Sequence, residues 1–164
     1  MTDDRPPTFA PSLLAVDLGV RTGFALYGDD GRLRWYRSQN YGSAARLRRG
    51  AAAQLRALPS LAWLVLEGGG ALAELWRREG ERHGAQVIVV DAGSWRQRLL
   101  LPREQRSGAQ AKQVADGLAR RVVDWSGAPR PTSLRHDAAE AILVGLWGVL
   151  EVGWLDAVPW KASA

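Results

Sequence analysis

Four acidic residues stand out for their position in the chain. Asp17 closes the apolar run Leu13-Leu-Ala-Val16, and Glu67 closes Leu64-Val-Leu66; each is soon followed by glycine. If the two runs are parallel neighbours in a sheet, both carboxylates lie beyond carboxyl ends of strands, where open α/β sheets bind ligands. Taken singly, each is equally readable as an acid opening a turn. Asp137 and Glu140 in Arg135-His-Asp-Ala-Ala-Glu140 are spaced i,i+3, so they share one face at the start of a helix. Two acids there also suit a helix N-terminus, which favours negative charge. The remainder of that helix is apolar nearly all round, however, and burying both acids without a cation is costly.

Converging carboxylates repel one another unless divalent cations sit between them. An all-oxygen donor set suits Mg²⁺ or Mn²⁺. The chain has two histidines and no cysteine, which argues against zinc. Two such ions, about 4 Å apart, activate water against a phosphodiester and stabilise the leaving oxygen without a nucleophilic side chain.

The elements that must carry these acids can be read from periodicity and turn chemistry. Residues 1–11, with Pro6, Pro7 and Pro11, read as a tail. Leu13 to Val16, Thr22 to Tyr27 and Leu33 to Arg37 read as an antiparallel meander, its second turn made by Asp29-Asp30-Gly31. Ser43 to Leu58 has helical spacing with Arg46, Arg48, Arg49 and Arg56, and Pro59 stops it. Strand Leu61 to Leu66, helix Ala71 to His83 and strand Gln86 to Val90 follow. Then come a helix over Ser94 to Leu101, a basic loop over Pro102 to Gly108, a helix over Ala109 to Trp125, and the last helix from Arg135 to Val152. The order predicts an α/β domain over 12–155, with a mixed five-stranded sheet flanked by helices, and a short tail over 156–164.

Size and charge narrow the function. At 164 residues with 46% hydrophobic content the chain suits one cored domain. Its net charge of +5 is carried by arginines and only two lysines, which suits phosphate contacts, although GC-rich coding also enriches arginine. The absence of cysteine removes disulfides and thiolate chemistry and agrees with a cytoplasmic setting. No secretory leader is evident, and the apolar run over 141–155 is too short to span a bilayer.

At Asp17-Leu-Gly-Val-Arg-Thr-Gly23, Glu67 and Asp137-Ala-Ala-Glu140 the sequence resembles the RuvC-like Holliday junction resolvases of the RNase H-like superfamily. The resemblance implies an RNase H-like fold and a DNA endonuclease that uses two Mg²⁺ or Mn²⁺ ions held by Asp17, Glu67, Asp137 and Glu140. It further implies a homodimer acting on four-way junctions. Basic residues near the scissile phosphate are expected at Lys112 and, second, Arg96; Lys112 read alone is an ordinary exposed helix lysine. Arg96, Arg103, Arg106, Lys112 and Arg135 are the DNA-binding candidates. His136 sits beside the acidic motif rather than in it. The segment after Glu67 is Gly68-Gly-Gly-Ala-Leu72, without the aromatic wedge that resolvases place there. Leu72, Leu75 and Trp76 are a candidate dimer face. Trp63 and Trp147 are expected in the core, and Trp35, Trp95, Trp154 and Trp160 at the surface or an interface. Two other readings share parts of the pattern. One is a YqgF-like ribonuclease; the other is an actin-like ATPase fragment, for which the chain lacks room for a second domain.

Overall fold

The computed structural model describes residues 9–161. Five strands, β1 (Ser12–Asp17), β2 (Arg21–Gly28), β3 (Leu33–Asn40), β4 (Leu61–Glu67) and β5 (Gln86–Val90), form one sheet in the order β3-β2-β1-β4-β5. β1–β2 and β2–β3 pair antiparallel, and β1–β4 and β4–β5 pair parallel, as the order of elements predicted. Gly31, at φ 76°, makes the tight turn between β2 and β3, where its N–H donates to the Gly28 carbonyl.

Strand alternation splits the apolar residues between two faces. Leu13, Ala15, Ala25, Tyr27 and Val65 pack on one side against α3 (Ala92–Leu99), α4 (Gly108–Ser126) and the central helix α5 (His136–Glu151). Leu14, Val16, Phe24, Leu64 and Leu66 pack on the other against α1 (Ala44–Arg56) and α2 (Gly70–Arg82). The result is helix, sheet and helix in three layers. α5 is apolar on almost every side because it is buried on almost every side, with Ala138 through Leu146 all buried. Gly145 lets it seat tightly, since a Cβ there would fall 2.1 Å from the Tyr27 ring, and the Tyr27 hydroxyl donates to the Ile142 carbonyl.

Polar side chains fix the helix starts. Ser43, Asp91 and Ser107 each accept the backbone N–H three residues on, opening α1, α3 and α4. Gly127, left-handed at φ 68°, ends α4.

Several expectations are corrected. β3 runs three residues past Arg37, because pairing with β2 continues through its polar end. The loop after Leu101 contains a 3₁₀ turn, Pro102–Gln105. Trp95, expected outside, is fully buried, and so is Trp76, which therefore belongs to the core rather than to an exposed face. Trp63 and Trp147 are partly buried against the core, as are Trp154 and Trp160. The segment after Leu155 holds a second 3₁₀ turn, Pro159–Lys161, with Val158 and Trp160 packed on the core, so the chain is anchored well past 156. Residues 1–8 and 162–164, which include most of the expected N-terminal tail and the last three residues of the C-terminal one, lie outside the described residues. Among the described residues no helix is long and apolar enough to cross a membrane.

Candidate active site

The sheet register sets Asp17 directly beside Glu67 at the carboxyl ends of the neighbouring parallel strands β1 and β4. The residues just before each acid, Leu13 to Val16 on β1 and Leu64 to Leu66 on β4, are buried, and the chain begins to open to solvent again at the half-buried acid itself. α5 crosses this end of the sheet and brings in Glu140, only 7% exposed. Carboxylate oxygens of Asp17, Glu67 and Glu140 all lie within 4.8 Å of one another.

Electrostatics shows what the cluster costs as bare protein. Burial, then a hydrogen bond to Glu67 and the charges of Glu67, Glu140 and Asp137, push Asp17 up to about 9. Burial also raises Glu67; its bond with Asp17 and the charge of Arg96 oppose that rise, and Glu140 adds to it. Both carboxyls thus shift the same way, upward, so the bare cluster favours keeping a proton. A divalent cation in that proton's place would relieve burial and repulsion together. The donor set is all oxygen and half enclosed, which fits Mg²⁺ or Mn²⁺.

Asp137, the fourth acid read from the sequence, is not among the three that converge. Its carboxylate accepts a hydrogen bond from Ser38 Oγ at 2.5 Å, which holds it toward the C-terminal part of β3. It remains close enough for its charge to raise Asp17. Gly23, opposite Asp17 in the register, makes the approach of α5 possible: a Cβ there would sit 1.9 Å from the Asp137 carbonyl oxygen. Thr22 is fully buried beside it, its hydroxyl donating to the Gly19 carbonyl at 2.7 Å and closing the β1–β2 turn.

The cation beside the acids is Arg96, whose Nη2 donates to Glu140 Oε1 at 3.0 Å. His136 Nε2 lies 3.2 Å from the same oxygen. The i,i+4 spacing of His136 and Glu140 on one helix was the available signal for that contact. Ser38 gave no local signal, since its partner lies 99 residues away. Lys112 is exposed on the first half of α4 and does not reach the cluster's ion pairs. Arg103, Arg106 and Arg135 are likewise exposed, and none of the four forms an ion pair among the described residues.

The sheet order, the meander and the central helix define an RNase H-like fold of the RuvC type. It is similar to Thermus thermophilus RuvC in complex with a Holliday junction substrate, with a TM-score of 0.61 over 87% of this chain and 96% of that one, at 14% identity. It is also similar to the yeast mitochondrial Holliday junction resolvase Ydc2, with a TM-score of 0.56 over 92% of this chain and 85% of that one, at 11% identity. No protein-family model and no curated protein matches the sequence.

Proposed function

We propose that this protein is a divalent-metal-dependent endonuclease acting on branched DNA, with a four-way junction as its preferred substrate. The observation that carries the reading is the meeting of Asp17, Glu67 and Glu140 at the ends of β1, β4 and α5. Three acids drawn together at a helix–sheet crossing, two of them pushed above the ordinary carboxylate range by burial and repulsion, make poor structural cement and a good cation cradle. The neighbours of the same fold, one solved on a Holliday junction, favour branched DNA over other phosphodiesters.

Asp17, Glu67 and Glu140 would hold Mg²⁺ or Mn²⁺, and Asp137 is assigned as the fourth holder because it precedes Glu140 by three residues on the same helix. Metal ions held by these acids would supply the Lewis acidity that phosphodiester hydrolysis needs, two of them by the two-ion route the resemblance implies. The chain's own residues do the positioning. Arg96 and His136 orient Glu140, and Arg96 offers positive charge where a phosphate oxygen would enter. The exposed Arg103, Arg106, Lys112 and Arg135 would contact the backbone and set register without reading sequence. A homodimer would present two such centres to paired strands, with the partly buried Leu72 and Leu75 of α2 in its interface.

The test compares cleavage of a four-way junction, a flap, a linear duplex and an RNA–DNA hybrid, with Mg²⁺ or Mn²⁺, by wild type and Asp17→Asn. Junction cleavage that needs metal and Asp17 is the expected result. Preference for the hybrid would make it a ribonuclease, and cleavage independent of Asp17 would remove the site.

A further inference from the structure

Between Asp30 and Glu67 the chain contains seven arginines, Arg32, Arg34, Arg37, Arg46, Arg48, Arg49 and Arg56, and no acid. This stretch builds β3, an edge strand, and α1, which packs over the sheet face turned away from α5. Between them lies a groove of about 430 Å³ lined by Trp35, Arg37, Gln39, Tyr41, Gln54 and Leu58. It belongs to neither the acid cluster nor the α2 surface.

The groove follows from strand periodicity and one glycine. Trp35, Arg37 and Gln39 alternate along β3 and therefore project from one face. Gly50 of α1 lets the Tyr41 ring press against the helix, since a Cβ there would fall 2.1 Å from the ring. The Arg37 guanidinium lies 5.1 Å from the Trp35 ring centre and 5.5 Å from that of Phe24, while its outer side is solvent-exposed. Arg37 has no acidic partner among the described residues. Gln54 is 7% exposed and has no side-chain hydrogen bond among the described residues. An indole beside a guanidinium that has no acidic partner among the described residues, with amides at the wall, is the chemistry that takes an unpaired nucleobase with its phosphate.

We propose that the β3–α1 groove binds an unpaired nucleobase of the DNA strand that continues from the cleavage site. The inference rests on the nuclease reading for the identity of its ligand and deepens it by adding a base-holding subsite. The register supports the placement: Ser38, between Arg37 and Gln39, pairs with Gly23, which pairs with Asp17. Two strand spacings, about 10 Å, separate that row of β3 from the catalytic acid. Because β3 is the last strand, a nucleotide strand leaving the acids can turn round an open edge into the groove.

The test is binding in EDTA, so it needs no catalysis. The probes are a four-way junction and an oligothymidylate, each with one 2-aminopurine beside the exchange point or at its centre, and matching probes carrying an abasic spacer there. Wild type should change 2-aminopurine fluorescence on binding and should bind the abasic probe about tenfold more weakly, as the loss of one base stack predicts. Arg37→Ala and Gln54→Leu should remove the fluorescence change and bind both probes equally, with melting temperatures near wild type. Equal wild-type affinity for base and abasic probes would overturn the inference while leaving metal-dependent cleavage untouched. So would a fluorescence change that survives both substitutions. Trp35→Phe, which keeps a stacking plane, should retain the signal that Arg37→Ala loses.

Discussion

Replacing Asp17 with asparagine should stabilise the metal-free protein. The carboxyl, ordinarily at 3.8, is pushed to about 9 in the fold, so at pH 7 the folded chain keeps a proton that the unfolded chain has released. The gap between 3.8 and pH 7 spans about 3 pH units, at about 1.4 kcal/mol each, which sets a ceiling of ~4 kcal/mol on the cost. Water at the mouth of the cluster screens part of it, leaving about 2 kcal/mol. A neutral, isosteric amide removes that cost, which for a domain of this size raises the melting temperature by roughly 4–8 °C. The sign with pH follows from the raised value: the folded state binds more protons than the unfolded, so wild-type stability falls as pH rises from about 4 toward 9. Melting both proteins in EDTA at pH 5, 7 and 9 should show the mutant's advantage small at pH 5 and largest at pH 9. Adding Mn²⁺ should reverse the ranking, because only wild type gains binding energy through Asp17. An advantage that is flat with pH, or a mutant that melts below wild type in EDTA throughout, would refute the account of the cluster.

Glu140→Gln should behave differently: it strips Arg96 and His136 of their partner, so the apo protein should lose about 1 kcal/mol by thermal melting. Its junction cleavage should still fall at least ~100-fold, as it should in Asp137→Asn. Gly23→Ala forces a Cβ into the Asp137 carbonyl, so α5 must shift; a loss of about 1–3 kcal/mol in denaturant titration and roughly 100-fold in cleavage, with junction binding retained, is expected. Junction affinity should fall linearly in log–log salt titrations, and Arg48→Ala and Arg49→Ala on α1 should each shallow the slope by about 1 if they contact phosphates.

The acids at strand ends were legible because strand, acid and turn are a local pattern, and Asp17 and Glu67 needed only a parallel pairing to meet. Glu140 followed from its apolar helix. What escaped the sequence was contact between distant segments. Arg96 reaches Glu140 across 44 residues, and Ser38 draws Asp137 aside across 99. The acid pair on α5 therefore separates into one inner and one outer carboxylate, a difference that i,i+3 spacing does not encode. Trp76 and Trp95 were misplaced for a related reason: an indole on an amphipathic helix is drawn by the nearest deep gap in the core, and both buried Nε1 atoms lack a hydrogen-bond partner among the described residues. β3 ended too early in the reading because its last residues are polar, whereas edge pairing with β2 fixes them as strand.

The three glycines that follow Glu67 leave the mouth of the cluster bare. Gly68 and Gly70 take φ of 131° and 70°, where other residues strain, and open space surrounds Gly69 and Gly70. These three residues offer a substrate main chain only, the nearest side chain being Leu18 against Gly68, and so supply no wedge of their own to lever base pairs apart. On the nuclease reading, these glycines contribute nothing to opening the DNA, and substrates should rank by how readily they fray. Crossovers, mismatches and nicks would be cut ahead of sound duplex, through their own looseness rather than through a wedge at this mouth.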